Sequence, residues 1–418
     1  PRSSRQAAVL AQRLSSTVTD QPDVDVAIVG AGIVGVATAA ALVRRHRAMT
    51  VAVLDKEDAP AEHQSGHNSG VVHSGLYYLP GSAKALLVAD GRVRLEHYCL
   101  ERGLPYDRCG KVVVSNSAEE TLRLLALERR ANRNGVVTER IDSRRLHQIE
   151  PHVRGDAAIF VPDTAITDYA AVARSLAGDL TDSGGLVITG ARVGRVGVRS
   201  GWGVHLHAGD RTVSSRWFVN CAGLHSDRVA HAAGATTDIS IVPFRGEYHE
   251  LTTSARSLVR NLIYPVPDPR WPFLGVHMTR MVDGSVHVGP NAVLSLGREA
   301  YDGGIVPRDV AAMARDSGLW RLAGHYWRTG AEELARSRLR RLLLHDVRRL
   351  LPEVGADDLV RSSTGIRAQA LGRDGSLLDD FAFATSERGV HVITAPSPAA
   401  TASFAIADRI VDELERIR

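Results

Sequence analysis

The sequence predicts an α/β protein, and two observations near its start carry that prediction. An apolar run at residues 25–30 is typical of a buried strand, and an alanine-rich stretch that ends near Arg45 is typical of a helix. Between them lies a glycine-rich turn with Gly30, Gly32 and Gly35. A second apolar run, residues 51–55, ends in the acid Asp55. Strand, turn, helix, strand and acid in this order predict a Rossmann-like, dinucleotide-binding β-α-β unit.

Each residue of the turn has a physical task in such a unit. Gly30 allows the sharp turn, Gly32 lets the backbone approach a pyrophosphate, and Gly35 lets the helix pack on the strand. The first N–H groups of the helix would face the phosphates. Asp55 would accept hydrogen bonds from the adenosine ribose.

Composition excludes several other classes of protein. Of the 418 residues 44% are hydrophobic and 23% charged, so the chain is not disordered. Lys and Arg number 51 against 47 Asp and Glu, and both signs are interleaved, so we expect no nucleic-acid partner. The 3 cysteines lack a CxxC pair, which argues against a disulfide framework or a zinc site. We expect no metal: His63 and His67 have helical spacing, but Gly66 between them opposes a helix.

Two segments could be mistaken for targeting or membrane elements. Residues 26–43 are uncharged and long enough to span a bilayer, but their glycines favour a buried strand and helix. Residues 1–23 are rich in Arg and Ser, which suits a transit peptide or a disordered extension. We therefore treat residues 1–23 as an N-terminal extension outside the fold.

The segment after Asp55 favours a flavin over a nicotinamide cofactor. It carries small residues that let the backbone pass close to a large flat group: Ser65, Gly66, Ser69, Gly70, Ser74 and Gly75. Polar tips lie among them, at His67, Asn68 and His73. A flavin enzyme needs such a loop because its chain must follow the cofactor from the pyrophosphate to the isoalloxazine. A later apolar strand, residues 217–223, also ends in small residues and suggests a return to the cofactor.

Taken together, the motifs resemble one family of flavoenzymes, the L-2-hydroxyglutarate dehydrogenase/oxidase family of FAD oxidoreductases. That family lies in the larger group of D-amino-acid oxidase and glycerol-3-phosphate dehydrogenase, and the resemblance runs from about residue 24 to about residue 413. Asp55, where Glu is expected, and His249 depart from the pattern. The motifs that carry the resemblance are residues 66–78, 243–248, 261–267, 273–277, 289–292, 365–369 and 395–401.

The resemblance implies a D-amino-acid-oxidase-like α/β architecture. A Rossmann-like FAD-binding domain with a discontinuous sheet would comprise residues 24–98, 152–243 and 360–418. A substrate cap domain, an antiparallel sheet with helices, would comprise residues 99–151 and 244–359. The sequence adds a strand at residues 111–115, a helix at 119–134 with Leu122 and Leu125 on one face, and a final helix at 399–417.

The resemblance also implies the reaction: oxidation of L-2-hydroxyglutarate to 2-oxoglutarate, with hydride transfer to flavin N5. Electrons would pass to a quinone, another carrier or oxygen. Alternatives are a related flavin enzyme acting on glycerol-3-phosphate or an N-methyl amino acid, or a catalytically silent flavoprotein. FAD would be held without a covalent bond. Its expected contacts beyond Gly30, Gly32, Gly35 and Asp55 are Ile33, Val34, Lys56, His67, Asn68, Ser69, Gly70, Val193, Ala222, Gly223, Pro396, Ser397, Ala399, Ala400 and Thr401.

Two histidines compete for the role of catalytic base. His73 is favoured, because related glycerol-phosphate enzymes resemble this chain in the loop that carries it; it could instead orient the loop or the flavin. His277 lies between apolar residues on an expected cap strand and is the alternative base. An unperturbed imidazole accepts a proton at neutral pH. His67 is expected to orient the flavin.

A five-carbon dicarboxylate needs two cationic contacts. Arg367 matches the carboxylate-binding Arg of the broader group, and its planar fork suits a bidentate pair. Arg245 is expected to bind the second carboxylate, with Arg280 as its alternative; any of these could instead form a structural ion pair. Tyr77, Tyr78 and Tyr264 could bind substrate or pack in the core. 

A basic amphipathic stretch, residues 334–351, has a pattern typical of a helix that lies on the surface of an anionic membrane. Its apolar face is expected to comprise Leu339, Leu342, Leu343, Val347 and Leu350, with arginines opposite. A cap helix with its apolar side in the core is the alternative. We expect a cytoplasmic protein, with association to the inner face of a membrane or a mitochondrial location as alternatives.

Overall fold

A computed structural model describes residues 22–199, 203–268, 275–289 and 291–418. Most of the N-terminal extension, and Phe273, Leu274 and Pro290 of the resemblance motifs, lie outside the described residues. The helices are α1 (Ile33–Arg45), α2 (Ala83–Glu101), α3 (Ala118–Arg133), α4 (Ser143–Ile149), α5 (Tyr169–Asp182), α6 (Ser226–Ala232), α7 (Pro307–Ala314), α8 (Ser317–Arg338), α9 (Arg340–Leu350) and α10 (Ser403–Ile417). 

Strands alternate with these helices along the chain. They are β1 (Val24–Val29), β2 (Val51–Leu54), β3 (Val71–Val72), β4 (Tyr106–Asp107), β5 (Lys111–Ser115), β6 (Glu139–Asp142), β7 (Ala157–Val161), β8 (Ala165–Thr167), β9 (Leu186–Ile188), β10 (Arg195–Arg199), β11 (Gly203–Ala208), β12 (Arg211–Asn220), β13 (Ile239–Leu251), β14 (Leu262–Pro265), β15 (His277–Arg280), β16 (Val286–Gly289), β17 (Val293–Leu294), β18 (Leu359–Gly372), β19 (Ala382–Ser386) and β20 (Gly389–Thr394).

The chain divides into two compact units, each built from separate stretches of sequence. The first comprises the chain up to Gly66, Tyr169–Val242 and Ala368–Arg418, and the second comprises His67–Asp168 and Pro243–Arg367. Residues 67–98, 152–168 and 360–367, which we expected in the FAD-binding domain, thus fall in the second unit. One reason is sheet pairing, since β3 and β4 both pair with β8 in a three-stranded sheet of that unit.

The first unit is built on an eight-stranded sheet in the order β10-β11-β12-β1-β2-β9, with β20 on β12 and β19 on β20. The pairs of β1 with β12, β1 with β2, β2 with β9 and β12 with β20 are parallel. Helix α1 packs against α5 and α10. Strand β2 and almost all of β1 are buried, as parallel strands covered on both faces must be. The predicted β-α-β unit is therefore confirmed.

The second unit is built on a nine-stranded sheet in the order β17-β13-β16-β15-β14-β5-β7-β6, with β18 on β13. The pair of β14 with β5 is parallel, whereas β5 with β7 and β14 with β15 are antiparallel. The fold is therefore the expected α/β architecture, a Rossmann-like sheet together with a largely antiparallel one.

Three details of the expected helices are corrected. Helix α3 forms where predicted, but it buries Leu124, Leu127 and Ala131, while Leu122 is 68% exposed. The final helix begins at Ser403, because residues 399–402 form hydrogen-bonded turns. The stretch at residues 334–351 is divided between α8 and α9, which meet at Leu339.

The apolar side of α9 belongs to the core of the second unit. Leu343, Val347 and Leu350 are buried there, whereas Leu339 and Leu342 are exposed by 40% and 37%. The predicted five-residue apolar face is thus reduced to three buried residues.

No helix in the described ranges is both long and apolar enough to cross a bilayer, and residues 26–43 form β1 and α1. Cys99, Cys109 and Cys221 are free thiols.

Candidate active site

The glycine turn of the first unit makes two contacts that a side chain would prevent. Gly30 has a φ of +107°, and a Cβ there would lie 2.4 Å from the carbonyl oxygen of Cys221. A Cβ on Gly35 would lie 2.0 Å from the carbonyl oxygen of Gly30. Gly30 therefore lets the turn pass close to the chain after β12, and Gly35 lets α1 pack on the end of β1, as the sequence predicts for Gly35.

Asp55 fastens this turn from the end of β2. Its Oδ2 accepts a hydrogen bond from the Ala31 N–H at 2.6 Å, and its Oδ1 accepts one from the Glu57 N–H at 3.0 Å. Burial raises the pKa of Asp55, and the Ala31 N–H opposes that shift. Because a carboxylate oxygen accepts more than one hydrogen bond, Asp55 retains capacity for a ribose hydroxyl. The neighbouring Lys56 pairs with Glu57.

The N-terminus of α1 presents backbone N–H groups without an acid to cap them. Gly32 is the N-cap and offers no side-chain acceptor, and the first turn contains no acidic residue. The Ile33 N–H donates to Ser65 Oγ at 2.9 Å. A diphosphate suits such a helix end, because the exposed N–H groups and the helix dipole both favour an anion.

Asn220 shapes the other small-residue turn of the first unit and was missed by sequence reasoning. Its Nδ2 donates to the carbonyl oxygen of Ser226 at 2.7 Å, and its Oδ1 accepts from the Ala222 N–H at 3.1 Å. The side chain is fully buried and bends the chain at Ala222 and Gly223. An Asn between an apolar strand and small residues is the signal that could have identified this turn.

The remaining predicted cofactor residues of the first unit lie in loops. Pro396, Ser397, Ala399 and Ala400 precede α10. Thr401 is fully buried, and its hydroxyl lies 2.8 Å from the Tyr169 hydroxyl. Val193 lies between β9 and β10, packed against the core of this unit. The glycine cradle (Gly30, Gly32 and Gly35), the N-terminus of α1 and the carboxylate of Asp55 fit the adenosine diphosphate part of FAD.

The loop at residues 67–70 is held within the second unit. His67 Nδ1 lies 3.0 Å from the carbonyl oxygen of Thr364, and its ring stacks on Tyr301 with centroids 4.3 Å apart. Asn68 Oδ1 accepts from the Gly70 N–H at 2.8 Å, and Gly70 has a φ of +65°. Ser69, between them, is half-buried.

The two candidate bases share one environment. Burial, together with the charge of Lys111, lowers the pKa of His73 and of His277 to about 3. Both imidazoles are therefore neutral at physiological pH and can accept a proton. His277 Nδ1 donates to the carbonyl oxygen of Gly275 at 2.8 Å, which leaves its Nε2 as the acceptor.

Tyr264 contacts both His277 and a buried lysine that sequence reasoning missed. Its ring stacks on His277, with centroids 4.1 Å apart and planes 22° apart. Lys111 Nζ lies 4.2 Å from the Tyr264 centroid and 5.2 Å from that of Tyr77. Lys111 is 1% exposed, and burial lowers its pKa to about 7.

The three predicted arginines have different partners. Arg245 pairs with Glu247 at 2.8 Å, and Arg280 pairs with Asp107. Arg367 lies beside the half-buried Tyr248; desolvation raises the pKa of this tyrosine, and the guanidinium opposes that shift. Arg245 and Glu247 occupy alternate positions of β13, so their shared face was a signal available in the sequence.

The neighbouring residues Tyr77 and Tyr78 differ in their surroundings. The Tyr77 hydroxyl is buried and has no hydrogen-bond partner among the described residues, and burial raises its pKa. The ring of Tyr78 lies 5.9 Å from Lys84 Nζ. A buried hydroxyl without a partner costs stability, which is typical of a group that meets a ligand.

The fold and the cradle define a flavin-dependent oxidoreductase, and comparison with known proteins agrees. A family model described as FAD dependent oxidoreductase matches residues 25–413. An L-2-hydroxyglutarate dehydrogenase of Indibacter alkaliphilus is 42% identical over 393 residues, which cover 93% of this chain and 98% of that protein. The mitochondrial L-2-hydroxyglutarate dehydrogenase of Homo sapiens is 42% identical, covering 94% and 89% respectively.

A solved structure agrees on the fold. Dithionite-reduced L-alpha-glycerophosphate oxidase from Mycoplasma pneumoniae with FAD bound superposes with a TM-score of 0.77, at 21% identity over 94% of both chains. The chain therefore belongs to the FAD dependent oxidoreductase family and, within it, to the L-2-hydroxyglutarate dehydrogenases. Its cofactor is FAD.

Proposed function

We propose that this protein oxidises L-2-hydroxyglutarate to 2-oxoglutarate. The names of its relatives support the substrate. The observation that carries the proposal is the charge of the cluster formed by His73, His277, Lys111 and Arg367. No carboxylate contributes to the pKa shifts of His73, His277 or Lys111. A cluster of two neutral histidines with a buried lysine and an arginine suits a small dianion.

His73 is proposed to accept the proton of the substrate hydroxyl. It is neutral at physiological pH, as a general base must be. FAD, when bound, supplies the acceptor for the hydride that leaves the carbon bearing this hydroxyl. Substrate carboxylates near His73 would raise the pKa of its imidazole towards neutrality, because negative charge stabilises the imidazolium.

The other residues are proposed to position the substrate. Arg367 binds the carboxylate next to the hydroxyl, and Tyr77 donates its unpaired hydroxyl. His277, oriented by Gly275 and by stacking on Tyr264, accepts a hydrogen bond through Nε2. Arg245 and Arg280 already pair with carboxylates, so each would have to exchange its partner to bind substrate.

The glycine cradle, with Asp55 and Lys56, is proposed to hold the adenosine diphosphate of FAD. The loop at residues 67–70 and the turn at 396–401 are proposed to contact the rest of the cofactor. His67 orients the flavin from its fixed position against Tyr301. Val193, Ala222 and Gly223 complete the set through backbone and apolar contacts.

The reduced enzyme is proposed to pass its electrons to a quinone, a soluble carrier or oxygen. Burial of Leu343, Val347 and Leu350 supports a role for α9 as a helix packed on the core. A cytoplasmic location is proposed, with association to the inner face of a membrane as one alternative and a mitochondrial location, suggested by the name of the human relative, as the other. Reoxidation rates with a quinone and with dissolved oxygen would rank the acceptors.

Anaerobic mixing of the holoenzyme with L-2-hydroxyglutarate tests the proposal. We expect the flavin absorption to bleach and 2-oxoglutarate to appear in stoichiometric amount. The D isomer, glycerol-3-phosphate and sarcosine are the comparison substrates. If one of these compounds bleaches the flavin and L-2-hydroxyglutarate does not, that compound is the substrate. If none of the four reduces the flavin, the protein is a catalytically silent flavoprotein.

A further inference from the structure

Lys111 is a buried cation for which the described residues supply no anion. It opens β5 in an otherwise apolar run, and it lies on the same face of the strand as the fully buried Val113. Val113 packs in a cluster with Leu124, Leu127 and Tyr264. No carboxylate lies within salt-bridge distance of Lys111 in the described part of the chain. Such burial of an unpaired ammonium is unfavourable, and a bound anion would compensate for it.

The groups that face Lys111 come from several neighbouring elements. Tyr77 and His73 come from the loop after β3, Tyr264 from β14, His277 from β15, and Cys109 precedes β5. The neighbouring strand β7, Ala157–Val161, contains no titratable residue. The buried face of α3 is apolar as well. None of these groups is an anion at neutral pH.

The second carboxylate of the substrate also lacks a receptor. Arg245 and Arg280 are neutralised by Glu247 and Asp107, as described above. The charges of Lys111 and Arg367 both lower the pKa of His277. Lys111 lies against the Tyr264 ring that stacks on this imidazole. A dianion held by Arg367 at one end therefore has Lys111 as an available counter-charge for its other end.

We propose that Lys111, held between the rings of Tyr77 and Tyr264, binds the substrate carboxylate remote from the hydroxyl and takes up a proton as that carboxylate arrives. This assignment rests on the proposed function, because it requires a dicarboxylate. An ammonium and a carboxylate that meet in a dry site form a charge-assisted hydrogen bond, which favours the protonated amine. The lysine thus selects dicarboxylates over monocarboxylates.

Glutarate, which has both carboxylates but no hydroxyl to oxidise, is the probe. Its binding to the oxidised holoenzyme is followed through the flavin spectrum and by calorimetry in two buffers of different ionisation enthalpy. We expect net proton uptake between pH 7 and pH 9, and an affinity that falls roughly tenfold per pH unit above 7. Pentanoate, with one carboxylate, should bind more weakly and without that uptake.

Two substitutions separate charge from proton uptake. Lys111→Met should weaken glutarate binding at pH 7 roughly 10- to 100-fold, leave pentanoate binding unchanged and abolish uptake. Lys111→Arg keeps a charge that does not titrate, so it should bind glutarate better than the Met variant and without uptake. Lys84→Met, which removes another buried lysine of the same unit, is the control and should keep the uptake of the parent.

Unchanged glutarate affinity and proton uptake in Lys111→Met, in a variant that retains FAD, would overturn the assignment. Flavin reduction by L-2-hydroxyglutarate in the parent is scored separately. A parent that is not reduced, but whose glutarate binding depends on Lys111, would refute the substrate and retain a dicarboxylate site. A parent that is reduced, with no effect of Lys111 on glutarate binding, would refute the lysine assignment alone.

Discussion

The ammonium nitrogen of Lys111 lies 4.2 Å from the centroid of the Tyr264 ring, at a strand position with 1% exposure. The aromatic ring stabilises the cation from one side, but an ion buried without a counter-ion still costs free energy. The pair therefore combines a structural cost with a cation positioned for a ligand. That combination is typical of functional sites, and it leads to the first prediction.

Lys111→Met should raise the thermal stability of the holoenzyme measured without ligand. The pKa of the lysine is about 7 in the folded state and near 10.5 when the chain is unfolded. The unfolded state binds more protons between these values, so the stability of the parent rises with pH across that window. The gain from the substitution, up to about 5 kcal/mol, should be largest at pH 6 and small at pH 10. Melting temperatures by circular dichroism check this; a gain independent of pH would contradict it.

His73→Asn should lower the rate of flavin reduction about 10²- to 10⁴-fold, the usual range for loss of a general base. His277→Asn should act more on substrate affinity than on the rate. The reduction rate and KM, measured for both by anaerobic stopped flow, separate the two roles. A larger rate loss in the His277 variant would indicate that His277 is the base and that His73 binds the substrate.

The pH profile of kcat/KM should have no ascending limb near pH 6.5. The pKa of His73 is about 3, so the imidazole of the free enzyme is already neutral at pH 5 and remains so at higher pH. Above pH 7 Lys111 loses its proton, and kcat/KM should fall. Steady-state assays between pH 5 and pH 9 check the shape, and Lys111→Arg should remove the decline.

Glu150→Gln should remove a pH dependence of stability in the second unit. Glu150 is fully buried, and its carboxylate accepts from the Arg260 and Asn261 N–H groups, which precede the strand of Tyr264. Burial raises its pKa from 4.5 to about 7, so stability is lost as the pH rises between these values, by up to about 3 kcal/mol. 

Melting temperatures of parent and Glu150→Gln at pH 5 and pH 8 test the assignment. The parent should lose stability between the two, and the variant should lose less. Glu353→Gln, at an exposed glutamate that pairs with His152, is the matched control and should follow the parent. An identical pH response in Glu150→Gln and the parent would exclude Glu150 as its source.

Gly30→Ala should yield a protein with little bound FAD. The new Cβ would lie 2.4 Å from the Cys221 carbonyl oxygen, at a φ of +107° that alanine avoids. Gly178→Ala in α5 of the same unit is the control: its Cβ meets nothing within 4 Å, and the better helix propensity should stabilise by about 0.5–1 kcal/mol. The flavin-to-protein absorbance ratio reports the outcome. Full FAD content in Gly30→Ala would show that the glycine turn does not contribute to FAD binding.

The sequence by itself determined the β-α-β unit of the first unit, because its signals are local. Gly35 and Asp55 act on backbone within a short stretch of chain, and the hydrophobic runs of β1 and β2 define their own burial. The approach of Gly30 to Cys221 is the long-range exception. The pairing of Arg245 with Glu247 is also a local feature, since alternate strand positions share a face, but the sequence analysis expected Arg245 to bind the substrate. Family resemblance added the order of motifs along the chain and, with it, the expected cofactor and reaction.

Only the tertiary structure decided the environment of Lys111. Tyr264 and His277 come from strands that the register of β5 with β14 and of β14 with β15 brings together. Tyr77 comes from the loop after β3. The buried face of α3 and the division of the chain between the two units were decided in the same way. Burial is a property of packed neighbours, and it is burial that makes an ordinary lysine costly, neutralises two histidines and defines the cluster we propose as the substrate site.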